Sequence, residues 1–338
     1  MTKAKSRVGI CFLDRPDVDR QIRGAKLAES LGYESVWVCE TRLARDAFTV
    51  LGAIASHTRS IRLGTGVVNS WTRGPALMAV TFATLEELAP GRSILGIGAY
   101  WDPLAYNQGI ERKRPVKQLR EYVEVFRRLL DLERFTYDGE LVHVRDIALD
   151  LGTGRERTPM RVPVYIGATG PVMLESSGEY ADGVLLNAMM STGYTREAVE
   201  HIRTGAERAG RKLADLEFPQ LVSTAMAKDG DRARDTARKL VTMYLGQQPH
   251  IAQASGLPDA FLQRIHETMG GWPPREGGIE AAMKHVDDSI VTRFVVAGTP
   301  DECLELARGY VKAGATYLIP LVVTADTTEQ IIEVFANV

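Results

Sequence analysis

Eight short apolar runs alternate with seven stretches of helical periodicity from residue 8 to residue 323, and this alternation limits the fold more than any other feature of the chain. The strand-like runs fall at 8–12, 35–38, 61–63, 93–97, 162–166, 183–186, 218–227 and 317–323. Helical patterns follow at 17–31, 46–57, 75–88, 115–132, 171–180, 195–209 and 300–313. The first places apolar residues at 22, 25, 28 and 31 and ends on Gly32, suited to a left-handed cap. Prolines 75, 115, 171 and 300 stand where a helix would start, a position at which the missing N–H costs nothing. No break in composition divides the 338 residues. The pattern therefore predicts one closed (β/α)8 TIM barrel over 1–338 rather than an open doubly wound sheet. Residues 135–158 read as a polar hairpin. Residues 230–290, broken by GQQPH, GLPD and GGWPPREGG, read as a helical insertion between the seventh and eighth strands.

Composition excludes several classes. A 45% hydrophobic and 25% charged chain fits a well-cored enzyme, and a net charge of −2 with no basic run argues against nucleic acid or a membrane surface as partner. No run approaches the roughly 20 apolar residues of a membrane span. The opening MTKAKSRVGICFL is too short in its apolar part for a signal peptide, so a cytoplasmic location is expected. Three scattered cysteines make no disulfide framework. Six histidines without His-x-x-x-His or Cys/His spacing make no metal site, and no Gly-x-Ser-x-Gly elbow occurs. An organic cofactor and a small-molecule substrate are the economical expectation.

In such barrels chemistry sits on the loops after the carboxyl ends of the strands. Three stretches qualify. RLGTGVVNSWTRGP (62–75) begins like a dinucleotide turn, but Asn69 occupies the third glycine position and the helix waits until Pro75. SILGIGAYWDP (93–103) puts Gly96 and Gly98 at a strand end with Tyr100, Trp101 and Asp102 beyond. These glycines make room for a flat ligand or for a neighbouring strand. In YIGATGP (165–171), Gly167-Ala168-Thr169-Gly170 leads into a helix opened by Pro171; the exposed N–H groups there suit a phosphate, and equally suit a bare tight turn.

These three segments, with VMLESSGEYADGVLLNA, resemble the bacterial-luciferase-like superfamily, in order and spacing, from about residue 7 to 323. Within it the chain most resembles coenzyme F420-dependent reductases similar to methylenetetrahydromethanopterin reductase. The resemblance implies a bulge with a non-prolyl cis peptide in strand three at Gly66-Val67, pressed against the face of a deazaflavin or flavin ring. It implies Asn69 near the ring edge, Thr72 and Arg73 at the mouth, and Gly98 along the ring. Gly167, Ala168, Thr169 and Gly170 would hold the cofactor phosphate, and Asn187 would follow strand six. It further implies hydride transfer and a homodimer through helices two and three.

The chain departs from that pattern at the proton donor. Cys11 stands where the resembling reductases carry a glutamate, and Glu40-Thr41 replaces an Asp-His pair. An unperturbed thiol titrates about four units above a carboxylic acid and replaces it poorly. Glu40, Asp102 and Asp14 are then the candidate acids, with Arg42, Arg45 and Arg73 near enough to pair with them. Coenzyme F420 also has an acidic tail, for which Arg42, Arg73 and Arg112 to Arg114 are candidates. Two alternatives remain: an FMN-dependent monooxygenase, and a catalytically silent flavin-binding barrel. Trp272, in GGWPPREGG, is the expected covering residue of a lid.

Overall fold

Eight parallel strands close into a ring in the computed structural model, which describes residues 7–13, 16–41, 43–152 and 158–338. In chain order the strands are β1 (Gly9–Phe12), β2 (Ser35–Val38), β3 (Arg62–Thr65), β4 (Val68–Asn69), β5 (Ser93–Gly98), β6 (Phe135–Asp138), β7 (His143–Ile147), β8 (Val164–Ala168), β9 (Gly183–Leu186), β10 (Gln220–Met226), β11 (Val296–Gly298) and β12 (Leu318–Val322). The ring runs β1-β2-β3-β5-β8-β9-β10-β12 and returns to β1, where Cys11 pairs with Leu321. Helices cover its outside, the arrangement expected when every strand is buried on both faces.

Two of these strands lie outside the sequence expectation. β4 and β11 were not anticipated, since two and three residues are too few to show a period; β4 adds to β5 and β11 to β10. The hairpin β6-β7 is antiparallel and lies outside the ring. Residues 230–294 fold as the helices Gly230–Gln247, Pro249–Ala254, Asp259–Met269, Gly278–Ala282 and Asp288–Phe294. Their buried residues Val241, Leu245, Ile265 and Met269 join one cluster with the barrel interior, including Trp37, Ile94, Tyr165, Leu185 and Tyr317. The segment is thus continuous with the barrel's inner core.

The barrel floor, at the amino ends of the strands, is closed by charge. Arg62 lies 3.1 Å from Glu34 and 3.5 Å from Glu217, Arg7 pairs with the same two carboxylates, and the Tyr165 hydroxyl donates to Glu217. Above it the indole of Trp37 donates to Ser35 Oγ at 2.8 Å and fills the centre; a Cβ on Gly64 would lie 2.3 Å from that indole. With the floor sealed, access is left to the carboxyl end.

The turn into β3 is held by one carboxylate. Glu29 accepts the N–H groups of Arg59, Ser60 and Ile61 at 2.8, 2.6 and 3.0 Å, and the Ser60 hydroxyl at 3.1 Å. Burial opposes its ionisation, but these four donors outweigh it and hold its pKa down to about 2. A carboxylate depressed in the folded state stabilises fully above its unfolded value near 4.5 and loses that contribution as pH falls toward 2. Glu29→Gln should therefore lower the denaturation midpoint at neutral pH, with the gap from the parent closing below about pH 4.5. Parallel midpoints across the whole range would assign the loss to geometry instead of charge.

Candidate functional site

The opening at the carboxyl end is shaped first by a bulge. Gly64 pairs with Ile94 and Val68 with Ile97, so three residues of one strand face two of β5. Thr65 bridges the gap: its hydroxyl donates to the Gly96 carbonyl at 2.7 Å and accepts the Gly96 N–H at 2.9 Å. Thr65 and Gly96 crowd so closely that a Cβ on Gly96 would sit 1.9 Å from the Thr65 carbonyl oxygen. The Gly66–Val67 peptide is cis.

Three hydrogen bonds from the end of β2 fasten the bulge. The Gly66 N–H donates to the Val38 carbonyl at 2.8 Å, the Glu40 N–H donates to the Val67 carbonyl at 3.3 Å, and the Cys39 thiol donates to the Gly66 carbonyl. The Val67 isopropyl group then lies across the ends of β5 and β8, 3.1 Å from where a Gly98 Cβ would be and 3.0 Å from a Gly167 Cβ. The glycines at 98 and 167 keep this shelf flat.

The loop beyond the shelf is tied down by Asn69 and by two groups that sequence reading passed over. Asn69 Oδ1 accepts the N–H groups of Trp71 and Thr72, both at 2.9 Å. Buried Gln118 and Tyr122, on the helix Pro115–Leu130, hold Ser70 and the Arg73 carbonyl: Ser70 Oγ donates to Gln118 Oε1 at 2.7 Å, and the Tyr122 hydroxyl donates to Arg73 at 2.9 Å. Tyr122 falls on the apolar stripe of that helix with Leu119, Val123 and Phe126. Its stripe position was the visible signal, and its hydroxyl the one overlooked.

The remaining cofactor candidates surround the same mouth. Gly167 and Ala168 end β8, and Thr169 follows, its carbonyl accepting the Tyr194 hydroxyl. Gly170 is the N-cap of the helix Pro171–Tyr180, with an extended backbone (φ −86°, ψ 151°), no side-chain cap and open space where a Cβ would be. That helix start leaves its first N–H groups to solvent or a ligand. Asn187, after β9, donates to the Tyr244 hydroxyl at 3.3 Å, and burial pushes the Tyr244 phenol up to about 12. Tyr244 belongs to the helix Gly230–Gln247, so the 230–294 segment reaches the mouth. Tyr100 and Met189, in the loops after β5 and β9, take left-handed backbones (φ 68° and 63°), costly for non-glycine residues and typical of sites held by their surroundings.

Of the candidate catalytic residues, the structure sets Cys11, Glu40 and Asp102 in three different surroundings. Cys11 is wholly buried, its sulfur 3.3 Å from that of Cys39; the Cys39 hydrogen bond and burial push the Cys11 thiol well up. Glu40 accepts Arg73 on both oxygens, at 2.8 and 3.0 Å, and the Ala47 N–H at 3.3 Å. Asp102 is 77% exposed in its side chain and clasped by Arg112 Nε at 2.6 Å. Asp14 and Arg42 lie outside the described residues. The basic mouth expected for an acidic tail is also engaged internally. Arg73 binds Glu40 and Asp46, Arg112 holds Asp102 and the carbonyls of Ala99 and Tyr100, Lys113 pairs with Glu111 at 2.9 Å, and Arg114 pairs with Glu140. Among the described residues no three His, Cys, Asp or Glu side chains group as a metal site, and no helix is long and apolar enough to cross a membrane.

A sealed-floor (β/α)8 barrel with a bulged third strand and an uncapped helix start at its open end defines the class. The chain belongs to the luciferase-like monooxygenase family, whose profile matches residues 3–317. It is 33% identical over 302 residues to a 5,10-methylenetetrahydromethanopterin reductase of Archaeoglobus fulgidus, covering 87% of this chain and 86% of that one. It is 29% identical to an F420-dependent glucose-6-phosphate dehydrogenase of Nakamurella multipartita, over 87% and 84% of the two chains. The coenzyme F420 dependent tetrahydromethanopterin reductase of Methanopyrus kandleri superposes with a TM-score of 0.84 at 27% identity, over 98% of both chains. The last two of these relatives are F420-dependent by name.

Proposed function

We propose that the protein is a coenzyme F420-dependent oxidoreductase that transfers hydride between the deazaflavin and a small organic substrate stacked on it. The observation that carries the reading is the shelf: Val67 lies flat over Gly98 and Gly167, in reach of an uncapped helix start at Gly170. A planar ring fits the first feature and a phosphate the second. Gly66, Val67 and Gly98 would support the ring, Asn69 and Thr72 its edge, and Gly167 to Gly170 the phosphate, with Asn187 closing the far side. When bound, the deazaflavin supplies the hydride chemistry.

The chain contributes position and proton handling. Glu40 is the carboxylate we assign to proton exchange with substrate, because its own N–H is bonded to the bulge at Val67, while Cys11 is sealed beneath it and Asp102 points to solvent. Arg73 orients Glu40 through both oxygens. We assign the substrate wall to the 230–294 segment, with Tyr244 at its inner edge and Trp272 as a covering residue. An exposed apolar stripe of Leu77, Val80 and Leu88 on the helix Pro75–Leu88 supports a homodimer through this face.

The test is a side-by-side titration of the protein with oxidised F420 and with FMN, followed by tryptophan quenching. Tight binding of F420 with weak binding of FMN is the expected result. The internal pairing of Arg73, Arg112 and Arg114 favours FMN as the second reading, since an acidic tail then has fewer cations to meet. Preference for FMN would move the protein to the monooxygenase reading, and tight binding without turnover across a substrate panel would leave a silent barrel.

A further inference from the structure

Cys11 and Cys39 are two thiols that the proposed reaction leaves unused. They point into the barrel from neighbouring strand ends, with sulfurs 3.3 Å apart. The Cys39 thiol donates to the Gly66 carbonyl, which leaves its sulfur as acceptor and the Cys11 thiol as donor to it. The chain of bonds therefore runs from Cys11 through Cys39 to the residue that precedes Val67. Cys11 Sγ also lies 3.6 Å from where a Gly66 Cβ would be, so the sulfur fills the space beneath that glycine.

Burial suits both thiols to this task. Cys11 is fully buried and Cys39 is 8% exposed; the bond to Cys39 and burial push the Cys11 thiol well up, which keeps it a donor rather than a nucleophile. Sulfur is also large enough to fill the interior beside Trp37 while still reaching a carbonyl. Glu40, the next residue along, bonds the Val67 carbonyl through its N–H, so consecutive residues grip the two consecutive carbonyls of the bulge.

We propose that Cys39, oriented by Cys11, is a positioning residue that sets the height of the Val67 shelf under the cofactor ring. The inference rests on the cofactor reading for its functional consequence and on geometry alone for its structural one.

The test uses the full chain with Cys39→Ala, Cys39→Ser and Cys11→Ala, and two readouts. Amide hydrogen exchange of the cofactor-free protein reports on residues 64–70, and the F420 titration reports on the shelf in use. Cys39→Ala should speed exchange across 64–70 and weaken F420 binding, each by about tenfold, the scale of one lost hydrogen bond. The barrel floor should be unaffected. Cys39→Ser, which keeps a donor, should restore both, and Cys11→Ala should fall between.

Unchanged exchange and affinity in Cys39→Ala would overturn the proposal, and so would a serine variant as damaged as the alanine one. If Cys39→Ala fails to fold, the serine and Cys11→Ala variants carry the same comparison. If the parent protein binds neither cofactor, the reading of function falls, while the exchange data still decide whether Cys39 holds the bulge.

Discussion

Alanine at Gly96 is expected to cost the protein about 3 kcal/mol or more and to abolish cofactor binding together with it. The added Cβ would sit 1.9 Å from the Thr65 carbonyl oxygen, a backbone atom that cannot swing aside as a side chain would. Either β5 must move away from β3, or Thr65 must lose the paired bonds by which its hydroxyl holds the Gly96 N–H and carbonyl. The second route leaves buried polar groups unpaired, at roughly 1–3 kcal/mol each. Both routes displace Gly66 and Val67, the next residues along. Chemical denaturation and the cofactor titration check this directly; a variant with the parent midpoint and affinity would show that the close approach of β3 and β5 is not required.

Aspartate at Gly170 should move stability and affinity in opposite directions. The Gly170 backbone is extended, as an N-cap requires, and open space surrounds its Cβ position. An aspartate there can accept the free N–H groups of the helix and favour its negative charge at the positive helix end, raising stability by roughly a few tenths of a kcal/mol. The same N–H groups would then be spent, and a carboxylate would face the cofactor phosphate. Affinity should fall by about 100-fold, equivalent to about 2.8 kcal/mol. A variant that is slightly more stable and binds as tightly as the parent would place the phosphate away from this helix. A merely damaged loop would lower both quantities together.

Particular residues separate what the sequence made legible from what it did not. The barrel was readable because each strand is apolar on both faces and each helix keeps its own period, so the evidence is local to every segment. Gly167 to Gly170 was readable for the same reason, since a short loop between a strand and a Pro-opened helix carries its own signature. The acids were not. Glu40 and Asp102 stand on mouth loops in the sequence, but their partners Arg73 and Arg112 lie 33 and 10 residues away, and only the fold decides which arginine reaches which carboxylate. Gln118, Tyr122 and Tyr244 were hidden because a buried polar group on a helical stripe looks like core until its partner is known.

The sequence by itself determined the alternation, and through it the closed ring; both follow from hydrophobic period and strand count, which need no distant contact. The tertiary structure alone decided what the glycines are for. Gly64 yields to Trp37, Gly96 to the Thr65 carbonyl, and Gly98 and Gly167 to Val67, each a contact between separate strands. It also turned Cys11 from a substituted acid into part of the support beneath the shelf. A side chain's chemistry depends on its burial and its partners, and those are set only when strands far apart in the chain are brought side by side.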